Sequence, residues 1–202
     1  MAFLIGLTGS IGMGKSTTAA MFAEQGAAVW DADSAVHRLY SRDGAAVGPV
    51  SDLCPAALKD GGIDRAELSR WVQADPDNLS RLENVVHPLV AADREAFLAG
   101  TSADVVVLDI PLLFEGGHAD QMDLAVVVSA PAELQRERVL ARPGMTPEKL
   151  DLILSRQMPD AEKRARADVV IGTETLESAR RSVVNLMQDI RAGKHARSGS
   201  GH

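Results

Sequence analysis

Residues Gly9-Ser10-Ile11-Gly12-Met13-Gly14-Lys15-Ser16, followed by Thr17, spell the pattern G-x-x-x-x-G-K-[ST]. The segments on either side restrict the fold in which that pattern can sit. Residues 3–8, Phe-Leu-Ile-Gly-Leu-Thr, read as a short buried strand, and residues 16–25 read as a helix that stops at Gly26. Strand, glycine-rich turn and helix in that order make a phosphate-binding loop. Its glycines allow a tight turn whose backbone N–H groups converge on phosphate oxygens, and the helix N-terminus adds a partial positive charge. Gly9 through Thr17 are therefore expected to bind a nucleoside triphosphate. Lys15 can reach the β- and γ-phosphates, and the Ser16 hydroxyl can hold Mg²⁺.

Four further apolar runs follow, each ending at a polar or small residue. They are 27–30 before Asp31, 105–108 before Asp109, 124–128 before Ser129, and 168–171 before Gly172. The runs are continuous rather than alternating, as strands covered on both faces are, and helical stretches separate them. The pattern predicts an α/β fold around a parallel sheet, with ligands beyond the carboxyl ends of the strands. Between the second and third strands, residues 34–103 far exceed what a crossover needs, and 65–74 and 78–99 within them read as helices. An inserted helical subdomain that holds a second substrate is expected there. Residues 131–165 read as a helix–turn–helix lid: Pro131 opens the first helix, the turn lies at 142–145, and Thr146-Pro147 opens the second. The core then comprises about 1–33, 104–130 and 166–192, with a polar tail expected to be disordered at 193–202.

Composition excludes several classes. The net charge of −7 argues against a general nucleic-acid binder, and 3 % aromatic residues leave little for base stacking. Cys54 is the only cysteine, so neither an intrachain disulfide nor a cysteine zinc site can form. No apolar run approaches the ~20 residues of a membrane span and no secretory signal is visible, so a cytoplasmic location without a membrane partner is expected.

Asp31-Ala32-Asp33 follows the second strand. On extended backbone the two carboxylates point the same way, so one could accept a proton from a hydroxyl acceptor while the other orients Mg²⁺ water. Equally, Asp33 could cap a helix starting near Ser34. Asp109 ends an apolar strand like a Walker B carboxylate, in contact with Mg²⁺ directly or through water. Arg138 and Arg142 share a helix face if the helix reaches Arg142; a lid arginine can stabilise charge on a transferring phosphoryl group, with Arg136 and Arg156 nearby. His87-Pro88 reads as a kink or helix junction, with His87 either buried or on the substrate, and His37 as part of the insert's packing. Met13, Met21, Met122 and Met187 read as core. The Asn-Lys-x-Asp and Thr-Lys-x-Asp motifs of guanine readers are absent from the sequence.

The P-loop, Asp31-Ala32-Asp33, His87-Pro88, Pro111-Leu112-Leu113-Phe114-Glu115, Gln135-x-x-Arg138-x-x-x-Arg142, and Gln157 with Glu162-Lys163 and Ala167-Asp168 together resemble the dephospho-coenzyme A kinase family, over nearly the whole chain. The resemblance implies a three-layer P-loop fold with a five-stranded parallel sheet, a coenzyme A subdomain and a lid. It implies ATP-dependent, Mg²⁺-dependent phosphorylation of the ribose 3′-hydroxyl of dephospho-coenzyme A by a monomer or small homo-oligomer. On that analogy Asp33 is the general base, Lys15 and Arg142 stabilise the phosphoryl group, and Ser16 and Asp109 serve the metal. Arg138 joins Arg142 on ATP, and His87, Pro111, Leu112 and Leu113 contact the acceptor. The chain has Ser10 where relatives often carry a second glycine, and Gly172-Thr173 where many carry an asparagine near the adenine. Two other readings compete: a small-molecule P-loop kinase with a different acceptor, and a regulatory protein that binds ATP without efficient transfer.

Overall fold

The computed structural model describes residues 2–195. In chain order its elements are β1 (Phe3–Thr8), α1 (Lys15–Glu24), β2 (Ala28–Asp31), α2 (Ala32–Tyr40), α3 (Val47–Leu53), β3 (Leu58–Lys59), β4 (Gly62–Ile63), α4 (Arg65–Ala74), α5 (Pro76–Gly100), β5 (Val105–Asp109), β6 (Leu124–Ser129), α6 (Ala132–Leu140), α7 (Pro147–Ser155), α8 (Asp160–Arg166), β7 (Val169–Gly172) and α9 (Leu176–Arg191). They fall into two compact units. One comprises residues up to Trp30 together with those from Ser102 onward, and the other is Asp31–Thr101.

The first unit is organised by a five-stranded parallel sheet in the order β2-β5-β1-β6-β7. β1 lies at its centre, paired in parallel with β5 (Phe3 opposite Val105) and with β6 (Ile5 opposite Leu124), while β7 joins the far side of β6 (Val126 opposite Val169). Every residue of β5 and β6 is buried, which is why their sequences are apolar without alternation. Ile5, Leu7, Val107, Val126 and Val128 are fully enclosed, and Phe22 of α1 and Val183 and Met187 of α9 pack in the same core. Each such side chain contributes about 1.5–3 kcal/mol of burial free energy. Met13, Met21, Met122 and Met187 are all buried, as expected of core methionines, and the Met13 sulfur accepts the Ala130 N–H. The last helix ends in a Schellman motif: Gly193 (φ 72°) donates to the Ile190 carbonyl and Lys194 to that of Asp189. Residues 196–202 of the expected tail lie outside the described residues.

The second unit is built from α2–α5 and a small antiparallel hairpin, β3–β4. It has a core of its own around Leu39, Val50, Ala57, Leu68 and Val86. Three features differ from the sequence reading. The hairpin was not anticipated; its two-residue turn, Asp60-Gly61, has positive φ at both positions (52° and 80°), the geometry of a type I′ turn. α5 continues unbroken through His87 and Pro88, so the dipeptide is not a helix junction. Proline there forgoes the donor that would reach the Asn84 carbonyl. Finally, α2 begins at Ala32, directly after β2, so Asp31 and Asp33 do not alternate on extended backbone.

Candidate active site

The loop from Gly9 to Gly14 joins the central strand to α1. Gly9 is required by close approach: a Cβ there would lie 2.4 Å from a Val128 methyl and 2.8 Å from the Val128 carbonyl oxygen. Gly14, the N-cap of α1, sits at φ 88° and brings no side chain to satisfy the first-turn N–H groups. Those donors and the dipole are left to whatever anion occupies the loop. Ser10, at the position of the expected second glycine, is buried, and Ser16 and Thr17 are exposed on the first turn.

The Lys15 ammonium is paired with the carboxylate of Asp109 at the carboxyl end of β5, and Asp109 is only 1 % exposed. A buried carboxylate beside the loop lysine is the arrangement expected of a strand-end acid near phosphate. Among the described residues no cluster of three or more acidic, histidine or cysteine side chains could by itself cage a metal ion. A hydroxyl and one carboxylate fit Mg²⁺, which keeps most of its waters and takes further oxygens from the substrate phosphates.

A cavity of about 250 Å³ opens beside the loop, lined by Gly12, Gly14, Thr17, Arg138, Arg142 and Thr173 among others. The two arginines reach it by different routes. Arg138, within α6, donates to the Thr173 carbonyl at 2.6 Å and to the Thr173 hydroxyl at 3.3 Å. Arg142 lies beyond the end of α6, exposed, its N–H closing the turn onto Val139. Thr173 is itself buried, and its hydroxyl donates to the Met13 carbonyl at 2.7 Å. The position expected near a nucleobase thus fastens the phosphate loop to the end of β7.

Two residues of 131–165 have partners the sequence did not disclose. Gln135 of α6 donates to the Ile11 carbonyl at 2.8 Å, and Gln157, between α7 and α8, accepts the Ile11 N–H at 3.3 Å. Glu115 accepts the Met158 N–H at 3.0 Å and forms a 3.0 Å ion pair with Lys163, which is fully enclosed. Burial raises the Glu115 pKa, but the Met158 N–H and the Lys163 ammonium outweigh that effect and hold the carboxyl below its ordinary range. Asp160, starting α8, accepts the Ser129 hydroxyl at 2.8 Å.

The segment after β5 divides its residues sharply. The Pro111 carbonyl accepts the Thr8 hydroxyl at 3.0 Å, Leu112 is 46 % exposed, and Leu113 is 0 % exposed. Leu113 packs its methyls against the face of Gly6, so it is a core residue rather than the substrate contact the motif suggested. Leu113→Ala is expected to cost about 2–5 kcal/mol of unfolding free energy, and Leu112→Ala within about 0.5 kcal/mol, by urea denaturation.

In the second unit, Asp31 rather than Asp33 caps α2: its carboxylate accepts the Ser34 N–H at 2.6 Å. Asp33 is left exposed in the first turn. His87 is exposed on α5, which removes the buried reading, and His37 is exposed rather than packed. His37 lines a separate cavity of about 410 Å³ with Tyr40, Lys59, Asp64 and Arg65. The Arg65 guanidinium lies 5.8 Å from the Tyr40 ring centre. Burial pushes the Tyr40 hydroxyl above its ordinary pKa, partly offset by Arg65.

The family described as CoaE, dephospho-CoA kinase, matches residues 3–177. A dephospho-CoA kinase of Cereibacter sphaeroides is 60 % identical over 189 residues, covering 94 % of this chain and 96 % of its own. The crystal structure of TT1252 from Thermus thermophilus superposes with a TM-score of 0.83 at 37 % identity, covering 94 % of this chain and 98 % of that one. Dephospho-CoA kinase from Campylobacter jejuni does so with a TM-score of 0.72 at 26 % identity, covering 96 % and 100 %. With a phosphate loop at the end of the central strand, a lysine–aspartate pair behind it, and Arg138 and Arg142 on its cavity, the chain belongs to the dephospho-CoA kinase family.

Proposed function

We propose that the protein transfers the γ-phosphoryl group of ATP to the ribose 3′-hydroxyl of dephospho-coenzyme A, giving coenzyme A and ADP, the last step in making that cofactor. The observation that carries the nucleotide half is the cavity in which the phosphate loop and the arginines Arg138 and Arg142 converge. The acceptor's identity rests on the near full-length likeness to proteins that bear the kinase's name. We assign Asp33 as the group that takes the 3′-hydroxyl proton while that oxygen attacks the γ-phosphorus and the bond to the bridging oxygen of ADP breaks. Support comes from its carboxylate being exposed and not used in the helix cap.

Lys15 and Arg142 neutralise charge on the transferring group, and Arg138 orients the nucleotide. Ser16 and Asp109 would hold Mg²⁺, which when bound offsets phosphate charge. The helical insert, 34–103, is assigned to the acceptor with His87, and Pro111 and Leu112 join it. The lid, 131–165, is assigned to covering ATP and excluding water. No helix among the described residues is long and apolar enough to cross a membrane, and a cytoplasmic site of action is proposed in keeping with that.

The deciding experiment follows ADP release from Mg-ATP with and without dephospho-coenzyme A and weighs the product. Acceptor-dependent release with a product heavier by one phosphate is expected; acceptor-independent release would overturn the assignment. Arg142→Ala is expected to lower kcat by about a thousandfold while shifting ADP affinity much less, because its contact matters most as charge develops. Steady-state kinetics beside ADP titration calorimetry reads that split.

A further inference from the structure

We propose that Gln157 is a positioning residue for the phosphate loop, and that Glu115 with the enclosed Lys163 sets its position. The inference rests on the reading of Gly9–Thr17 as the ATP loop. It starts from an unusual allocation of hydrogen bonds. Ile11 lies inside the loop, where backbone groups are ordinarily left for ligand or water. Here both its polar groups are taken by lid side chains from two places: Gln157 accepts the N–H and Gln135 donates to the carbonyl. The orientation of residue 11 is therefore imposed by the lid segment, 124 and 146 residues away in the chain. The N–H groups that follow it, toward Gly14 and Lys15, inherit that orientation.

Gln157 would impose nothing if its own segment were loose, and two hydrogen bonds and an ion pair hold it in place. Met158, its neighbour, donates to Glu115; Lys163 pairs with the same carboxylate; and Asp160 accepts the Ser129 hydroxyl at the end of β6. A lysine with no exposed surface is costly to place unless its partner is fixed, so Glu115 is held in turn. The loop leading out of β5, the start of α8 and the phosphate loop thus form one braced unit. Its consequence is preorganisation: the loop is held open to phosphate before ATP arrives, and less ordering cost falls on binding.

Gln157→Met keeps the side chain's volume and removes its amide, so packing is retained while the Ile11 N–H loses its acceptor. The variant is expected to weaken ADP binding about five- to tenfold, as loss of one neutral hydrogen bond would. KM for ATP should rise by a similar factor, while KM for dephospho-coenzyme A stays near that of the unaltered protein and the melting temperature falls by only about 2–4 °C. ADP titration calorimetry, two-substrate kinetics and thermal melts read the three quantities. A lower melting temperature with unchanged ADP affinity would show a merely structural residue and overturn the proposal, as would no change in any quantity. Titration of the unaltered chain separates the premises: if it fails to bind ADP, the ATP-loop reading falls; if it binds and Gln157→Met binds equally well, only the positioning role falls. Glu115→Gln provides the second test and is expected to shift ADP affinity in the same direction. Combined with Gln157→Met it should add less than its own effect, because both act through one bond; full additivity would overturn the brace.

Discussion

Asp33→Asn is expected to lower kcat by about two to four orders of magnitude while leaving ADP affinity and the melting temperature unchanged. The amide is nearly isosteric with the carboxylate but cannot take the hydroxyl proton, and general-base contributions fall in that range. The helix should not notice the change. The bond that starts α2 is made by Asp31 to the Ser34 N–H, and Asp33 is exposed beside it. Rapid-quench kinetics with Mg-ATP and dephospho-coenzyme A would separate the chemical step from product release. A variant with near-normal turnover would remove Asp33 from the reaction and return attention to other carboxylates.

Lys15→Ala should abolish measurable transfer, with kcat/KM lower by about three orders of magnitude or more, and should also destabilise the unliganded protein. The catalytic loss follows from removing a fixed positive charge where phosphoryl charge is greatest. The stability loss arises because Asp109, 1 % exposed, loses the ammonium it is paired with. Breaking a buried pair from one side costs about 3 kcal/mol, less whatever water reaches the vacated space. Asp109→Asn in the same chain should recover most of that stability in urea denaturation without recovering activity. If stability is already unaffected in the single variant, the pair contributes little to the fold and Lys15 serves phosphate alone.

The nucleotide half of the site was legible because its information is local. The P-loop pattern, its strand and its helix occupy adjacent residues, and the fully buried strands announce themselves by unbroken apolar runs. The place of Asp109 at the end of β5 was legible for the same reason, as the polar residue ending such a run. What failed depended on a boundary or on distance. Asp31 and Asp33 were placed on extended backbone because nothing in the sequence marks a helix beginning at Ala32 without an intervening loop. Leu112 and Leu113 are chemically alike, and only the approach of Gly6 makes one of them core. The hairpin's Asp60-Gly61 is a recognisable turn signal, but strands of two residues give no period to confirm it. α8 is too polar to show an apolar stripe, although it buries Lys163. Gln135 and Gln157 stood in the family pattern without a reason, since their partner lies more than a hundred residues away.

The central place of β1 in the sheet has a consequence for synthesis on the ribosome. Its partners are β5 and β6, so Phe3 waits for Val105 and Ile5 for Leu124. The P-loop is therefore made before both strands that flank β1 and gains its shape only after them. Residues 31–101, with a core whose members all lie inside that segment, can condense while the nucleotide-binding half is still incomplete. A nascent chain arrested shortly after residue 101 has emerged should then resist protease across the insert and be cut within the first thirty residues. Until the later strands arrive, the apolar stretch that becomes β1 is a length of exposed hydrophobic chain.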